Sequence, residues 1–109
     1  MIKTELWDDI LIVKLSGDID ISVADALRSQ IDAEYVQQGV RHLLLDLSEV
    51  EFMDSTGLGL ILGRYKKVMA AGGRTYIVRP RARVKQLLEM SGVNNLIPVY
   101  TSLRQVINR

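Results

Sequence analysis

Cysteine is missing altogether from this sequence, which excludes disulfides, thiolate nucleophiles and Cys-based zinc or iron–sulfur sites together. A single histidine, His42, supplies too little imidazole for most catalytic metal centres. No apolar run approaches the ~18 residues of a membrane span, and no cationic-then-apolar start marks secretion. Surplus charge is missing too. Fourteen Lys+Arg against thirteen Asp+Glu leave +1, too near balance for an electrostatic grip on nucleic acid or acidic lipid. The absences predict a cytoplasmic chain with no metal, no cofactor, no nucleic-acid partner and no membrane association; a monomer is the simpler expectation. What is present is ordinary globular composition, 48% apolar and 25% charged, over 109 residues, the length of one domain.

Residues 2–7 and 10–15 read as two strands joined at Asp8-Asp9, which is turn chemistry. Ser16-Gly17-Asp18 closes the second strand. Ser22 is a candidate N-cap for a helix to about Gln38, with Val23, Ala26, Leu27, Ile31 and Tyr35 at helical spacing and Gly39 as its stop. Residues 40–47 are nearly continuously apolar, as in a strand covered on both faces. Ser48 to Asp54 reads as a loop anchored by Val50 and Phe52. A second helix runs from about Ser55 to Ala71, where Gly72-Gly73 ends it. A strand over 74–78, a helix over 82–90, a short strand over 96–99 and a helical piece over 102–108 complete the chain. This alternation predicts an α/β fold: one domain, a mixed but mostly parallel sheet and about four helices. In such sheets the working crevice lies beyond the carboxyl ends of the strands. Two segments of unusual chemistry sit at such ends, Gly17-Asp18-Ile19-Asp20 and Asp54-Ser55-Thr56-Gly57.

The second of these opens a helix that carries Gly57, Gly59 and Gly63. An interior helix glycine costs about 0.8–1 kcal/mol relative to alanine, so such a run needs a reason. One reason is close packing of the helix on its own sheet. The other is room for a partner over the first turn, Gly57 to Gly59. Asp54 or Ser55 satisfies the N-cap in either case. A phosphate on Ser55 would there meet amides and the positive end of the helix dipole, which makes Ser55 a tolerant phosphoacceptor.

Enzymatic readings fail on the residues themselves. Residues 53–57 approach the nucleophile elbow G-x-S-x-G, but Met53 occupies the first glycine position. His42 begins the strand whose far end leads toward Ser55; five residues of strand put Leu47 about 16 Å from it, so His42 is at the wrong edge to act as a base. Gly57-Leu58-Gly59 lacks the third glycine of a dinucleotide fingerprint, since Leu62 stands there, and no P-loop pattern occurs. The basic stretch from Arg79 to Lys85 has no interleaved aromatics for base stacking and reads as a solvated face, as do Arg64, Lys66 and Lys67.

Phe52-Met53-Asp54-Ser55-Thr56-Gly57-Leu58-Gly59, followed by Ile61-Leu62-Gly63-Arg64-Tyr65-Lys66, resembles the signature of the anti-sigma-factor antagonists, bacterial members of the STAS domain family. Leu15-Ser16-Gly17-Asp18-Ile19-Asp20 is similar to that family's Gly-Glu-Leu-Asp turn, with Asp18 in place of the glutamate. Arg41-His42 before a buried strand and Met90-Ser91-Gly92-Val93 after the third helix also fit. The resemblance implies a STAS domain over residues 1–109, nearer the sporulation antagonist of anti-sigma F than the stress-response one. It implies a non-enzymatic regulator that binds an anti-sigma factor with serine kinase activity and so frees a sigma factor. Phosphorylation at the position of Ser55 switches the antagonist off, and a PP2C-type serine phosphatase reactivates it. The implied partner surface comprises Asp20, Asp54, Ser55, Thr56, Gly57, Leu58 and Gly59. Two other readings stand beside it: a STAS-type ligand-sensing or scaffold module that is never phosphorylated, and a receiver-like domain phosphorylated on Asp46. A hydrolytic or nucleotide-binding protein acting at Ser55 would have to show turnover that Ser55→Ala abolishes.

Overall fold

The computed structural model describes residues 1–108. Strand β1 (Ile2–Trp7) turns at Asp8, in the left-handed region at φ 54°, into β2 (Ile10–Ile19). Aspartate tolerates that conformation because its short polar side chain bonds locally. There follow α1 (Ile21–Gln38), β3 (His42–Met53), α2 (Ser55–Ala70), β4 (Thr75–Val78), α3 (Ala82–Ser91), a single 3-10 turn at Val93–Asn95, β5 (Val99–Tyr100) and α4 (Leu103–Ile107).

The sheet has the order β1-β2-β3-β4-β5, antiparallel at β1·β2 and parallel elsewhere. Since the parallel strands follow in sequence order, right-handed crossovers place their connecting helices on the same face. Leu27 and Ile31 of α1, Leu60 and Ile61 of α2, and Val84 and Leu88 of α3 accordingly share one core with Leu11, Val13, Leu43, Leu45, Leu47 and Ile77. The opposite face holds a smaller cluster, Ile10, Ile12, Leu44, Tyr76 and Val78, closed by Val106 of α4. The apolar run beginning at residue 40 is thus covered on both sides, as its composition predicts. The strand order contains no reversal, so the working edge is set by the strand ends and not by a topological switch point.

The largest departure from the sequence reading is the length of β2 and β3. Residues 48–53 of the stretch expected as a loop, and β2 through Ile19, past the end expected at Ser16-Gly17-Asp18, continue the parallel ladder, with register shifts between Lys14 and Ser16 and between Gly17 and Asp18. Gly17, at φ 84°, takes the left-handed conformation that the irregularity requires. Val50 is fully buried as expected; Phe52 is instead exposed. Ser48 and Glu49 interrupt the apolar pattern, and only the pairing partner shows that the strand persists through them.

Candidate functional site

Strands β2 and β3 end side by side. Ile19 opposes Met53 in the last pair of their ladder, so Asp20–Ser22 and Asp54–Gly57 leave the sheet at the same edge. The Asp54 N–H donates to the Ile19 carbonyl at 3.4 Å and ties the two departures together. Each aspartate then caps a helix.

Asp20, not Ser22, caps α1: its carboxylate accepts the Ser22 amide at 2.9 Å and the Ser22 hydroxyl as well. Those two hydrogen bonds, hydroxyl first, hold the Asp20 carboxyl below its ordinary value. Aspartate matches serine as a cap and adds a negative charge at the positive helix end, which explains why the helix starts earlier than expected.

Asp54 does the same for α2. Its carboxylate accepts the amides of Thr56 at 2.9 Å and Gly57 at 3.3 Å, and its carbonyl accepts that of Leu58 at 3.2 Å. Two consequences follow for Ser55. Its hydroxyl is not consumed in capping and stands exposed on the first turn. A phosphate there, however, would not find the amides of Thr56 and Gly57 vacant, contrary to the expectation from sequence; it would stand in solvent beside the Asp54 carboxylate.

The three glycines of α2 divide sharply. Gly57 is buried, and a Cβ on it would collide with Met53 Cγ and press on the Ile19 carbonyl and Cγ2 at 3.1 and 3.2 Å. Close packing is therefore its whole role, and it cannot be a surface contact as the family resemblance implied. A Cβ on Gly59 or Gly63 would meet nothing within 4 Å, so neither is small for the sake of the sheet. Gly59 is exposed, while Thr56 and Leu58 are half-buried beside it. Gly57→Ala should cost about 1–3 kcal/mol by overpacking. Gly59→Ala should raise stability by up to ~1 kcal/mol through helix propensity. Urea melts of the two variants check this; shifts in the same direction would contradict the division.

Two apolar side chains stand around this edge that the sequence reading did not single out as surface. Ile21, directly after Asp20, is 80% exposed, and Phe52, opposite Asp18 in the ladder, is 45% exposed. The signal for Ile21 was present: it falls off the Leu27, Ile31, Tyr35 row that α1 buries. This edge thus carries aspartates at Asp20 and Asp54, apolar groups at Ile21 and Phe52, and the exposed Ser55. A family profile described as the STAS domain matches residues 1–106. The chain belongs to the STAS domain family.

An anti-sigma F factor antagonist from Paenibacillus polymyxa is 39% identical to it over 91% of this chain and 85% of that one. The anti-sigma factor antagonist SpoIIAA in its unphosphorylated form is 25% identical, with a TM-score of 0.85 over 100% of this chain and 95% of that one. The phosphorylated form of SpoIIAA from Bacillus shares the fold, with a TM-score of 0.77 at 24% identity over 100% and 98% of the two chains.

Other residues of this STAS domain have structural employment. Asp46 lies inside β3, not at its end; it is buried, closely ion-paired with Arg79, and accepts the Ser48 amide at 3.0 Å. Burial raises its carboxyl, but the hydrogen bonds from Arg79 and Ser48 outweigh that and hold it below its ordinary value. A phosphoacceptor so enclosed is not available, which removes the receiver-like reading. In the basic stretch, Arg79 is spent on Asp46, and Arg81 donates through Nε to the Ser48 carbonyl at 2.9 Å. Arg64, expected on the wet side of α2, is buried against α1, with Nε 2.8 Å from Asp32 Oδ1. Lys67 reaches the same carboxylate at 3.4 Å. The side-by-side packing of α1 and α2 is what covers it. His42 accepts the Arg74 amide at Nδ1, 3.0 Å away, and faces Asp9 at 3.3 Å through Nε2. It joins the starts of β2, β3 and β4, at the opposite end of β3 from Ser55. No helix among the described residues is long and apolar enough to cross a membrane.

Proposed function

We propose that the chain is an anti-sigma factor antagonist, one STAS domain over residues 1–109, that works by partner switching. Unmodified, it binds an anti-sigma factor that is also a serine kinase, and a sigma factor is released. The kinase esterifies Ser55, the antagonist lets go, and a PP2C-type phosphatase restores it. The observation that carries this reading is the free, exposed hydroxyl of Ser55 on a helix start already capped by Asp54. Transfer of a phosphoryl group to it needs no opening of the fold.

Asp20, Ile21, Phe52, Asp54, Thr56, Leu58 and Gly59 form the docking patch around that hydroxyl; Gly57 acts from below by setting the seat of α2 on Ile19 and Met53. A glycine with open space above it lets a partner approach the helix backbone, which accounts for Gly59 better than packing does.

Incubating the protein with its host's anti-sigma kinases and ATP, then mapping phosphate by mass spectrometry, tests the reading. One acid-stable phosphate on Ser55, absent from Ser55→Ala, is the expected result. No phosphate, or phosphate on another residue, would overturn it.

A further inference from the structure

Strand β1 forms one border of the sheet, with β2 as its only neighbour among the described residues. Its register against β2 runs unbroken from Ile2 to Trp7, with neither a bulge nor a proline to blunt the edge. Residues 3–7 are exposed, and Leu6 and Trp7 leave about half of their surface to solvent. The Ser16 amide donates to the Met1 carbonyl at 2.9 Å, which fixes the phase of the hairpin. Lys3, Glu5 and Trp7 therefore exchange hydrogen bonds with β2, while the main-chain N–H and C=O of Ile2, Thr4 and Leu6 point outward. An edge of this kind is a template for another strand.

The side chains decide which strand. Among the described residues, Lys3 and Glu5 form no ion pair. Inside the hairpin Lys3 stands opposite Lys14, a like charge already joined to Glu49 at 3.3 Å. Laid antiparallel against a second copy of itself, with Ile2, Thr4 and Leu6 still turned toward the seam, β1 can be centred on Lys3, Thr4 or Glu5. Centred on Lys3 it sets lysine against lysine, and centred on Glu5 it sets glutamate against glutamate. Like charges directly opposite destabilise a strand pair. Centred on Thr4, Lys3 of each copy meets Glu5 of the other, at non-hydrogen-bonded positions where side chains approach most closely. The same register pairs Ile2 with Leu6.

From the unblunted edge and its self-complementary charges, we infer that β1 pairs antiparallel with β1 of a second copy, centred on Thr4, in a weak two-fold dimer. The composition alone leads to a monomer as the simpler expectation. An edge lysine ordinarily repels foreign strands; here Glu5 of the same strand supplies its counter-charge, so the edge selects its own copy. Met1 lies level with Ser16, short of Ile19 and Asp20, so the seam leaves the Ser55 edge open. The dimer does not depend on switching at Ser55.

Sedimentation equilibrium of the full chain, from about 10 μM to about 1 mM, tests the inference. A single-strand seam falls below the ~1,200 Å² of stable interfaces, so a Kd of roughly 0.1 mM is expected. Lys3→Glu and Glu5→Lys should each weaken association about tenfold or more, because each sets like charges opposite at both symmetric positions. Mixed in equal amounts, the two variants should form a mixed dimer at about the parental affinity, since each then faces the other's opposite charge. That rescue requires both chains to be folded, so it also excludes misfolding as the cause of the loss. A mass that stays monomeric to about 1 mM overturns the inference. So does a dimer whose affinity is unchanged in either single variant, or a mixture that fails to restore it.

Discussion

Replacing Ser55 by aspartate should lower affinity for the anti-sigma factor by about a thousandfold or more while leaving the fold intact. The aspartate, or the phosphoserine it imitates, enters a contact already flanked by the carboxylates of Asp20 and Asp54. Like charges juxtaposed inside an interface cost several kcal/mol, and ~4 kcal/mol is about three decades in Kd. Phosphate carries about −1.5 to −2 charge at neutral pH, so its effect should exceed that of aspartate. The free protein loses little by comparison. Ser55 is exposed and its hydroxyl holds no cap, so the new charge remains in water near the positive end of α2. Circular dichroism of the phosphorylated protein should match that of the parent. Ser55→Ala should bind constitutively. Titration calorimetry decides the matter: equal affinity of Ser55→Asp and the parent removes the switch.

The largest effect on stability is expected from a glycine at the other end of the molecule. Gly72, at φ 83°, turns the chain out of α2, and Gly73 then passes directly over the backbone of Arg41. A Cβ on Gly73 would overlap the Arg41 carbonyl oxygen and carbon, with Val68 Cγ1 at 3.0 Å. Gly57 at least meets the end of a flexible methionine, whereas the neighbour here is main chain. That main chain is fixed on several sides: the Arg41 carbonyl accepts the Tyr35 hydroxyl at 2.7 Å, its amide donates to Asp9, and its Nε donates to the Gly72 carbonyl at 3.1 Å. Nothing nearby can yield cheaply. Gly73→Ala should therefore cost at least about 3 kcal/mol, the top of the range for overpacking. Chemical denaturation checks it, and a loss under 1 kcal/mol would mean that this end of the sheet is far softer than its hydrogen bonds imply.

The contrast among glycines shows how far residues alone could be read. Gly57, Gly59 and Gly63 were conspicuous for their cost in helix propensity, but packing and partner access are indistinguishable from spacing. The sheet beneath Gly57 and the empty space over Gly59 separate them. Likewise Asp20 and Asp54 stood out as polar groups at strand ends. That both become caps at one edge depends on Ile19 pairing with Met53, an event between residues far apart in the chain. Phe52 and Arg64 depart from their expected places for the same reason: exposure follows from which neighbour covers a side chain.

By itself the sequence determined the element order, the two-faced burial of the strand that begins at His42, and the position of Ser55 at the start of α2. These are local or periodic properties, governed by side-chain pattern and turn chemistry. Only the tertiary structure decided how long β2 and β3 run, that Asp46 and Arg64 are buried in ion pairs, and that the β4·β5 ladder stops at Pro98. Each of those rests on pairing or packing between distant segments, and such contacts leave no periodic trace in the chain that makes them.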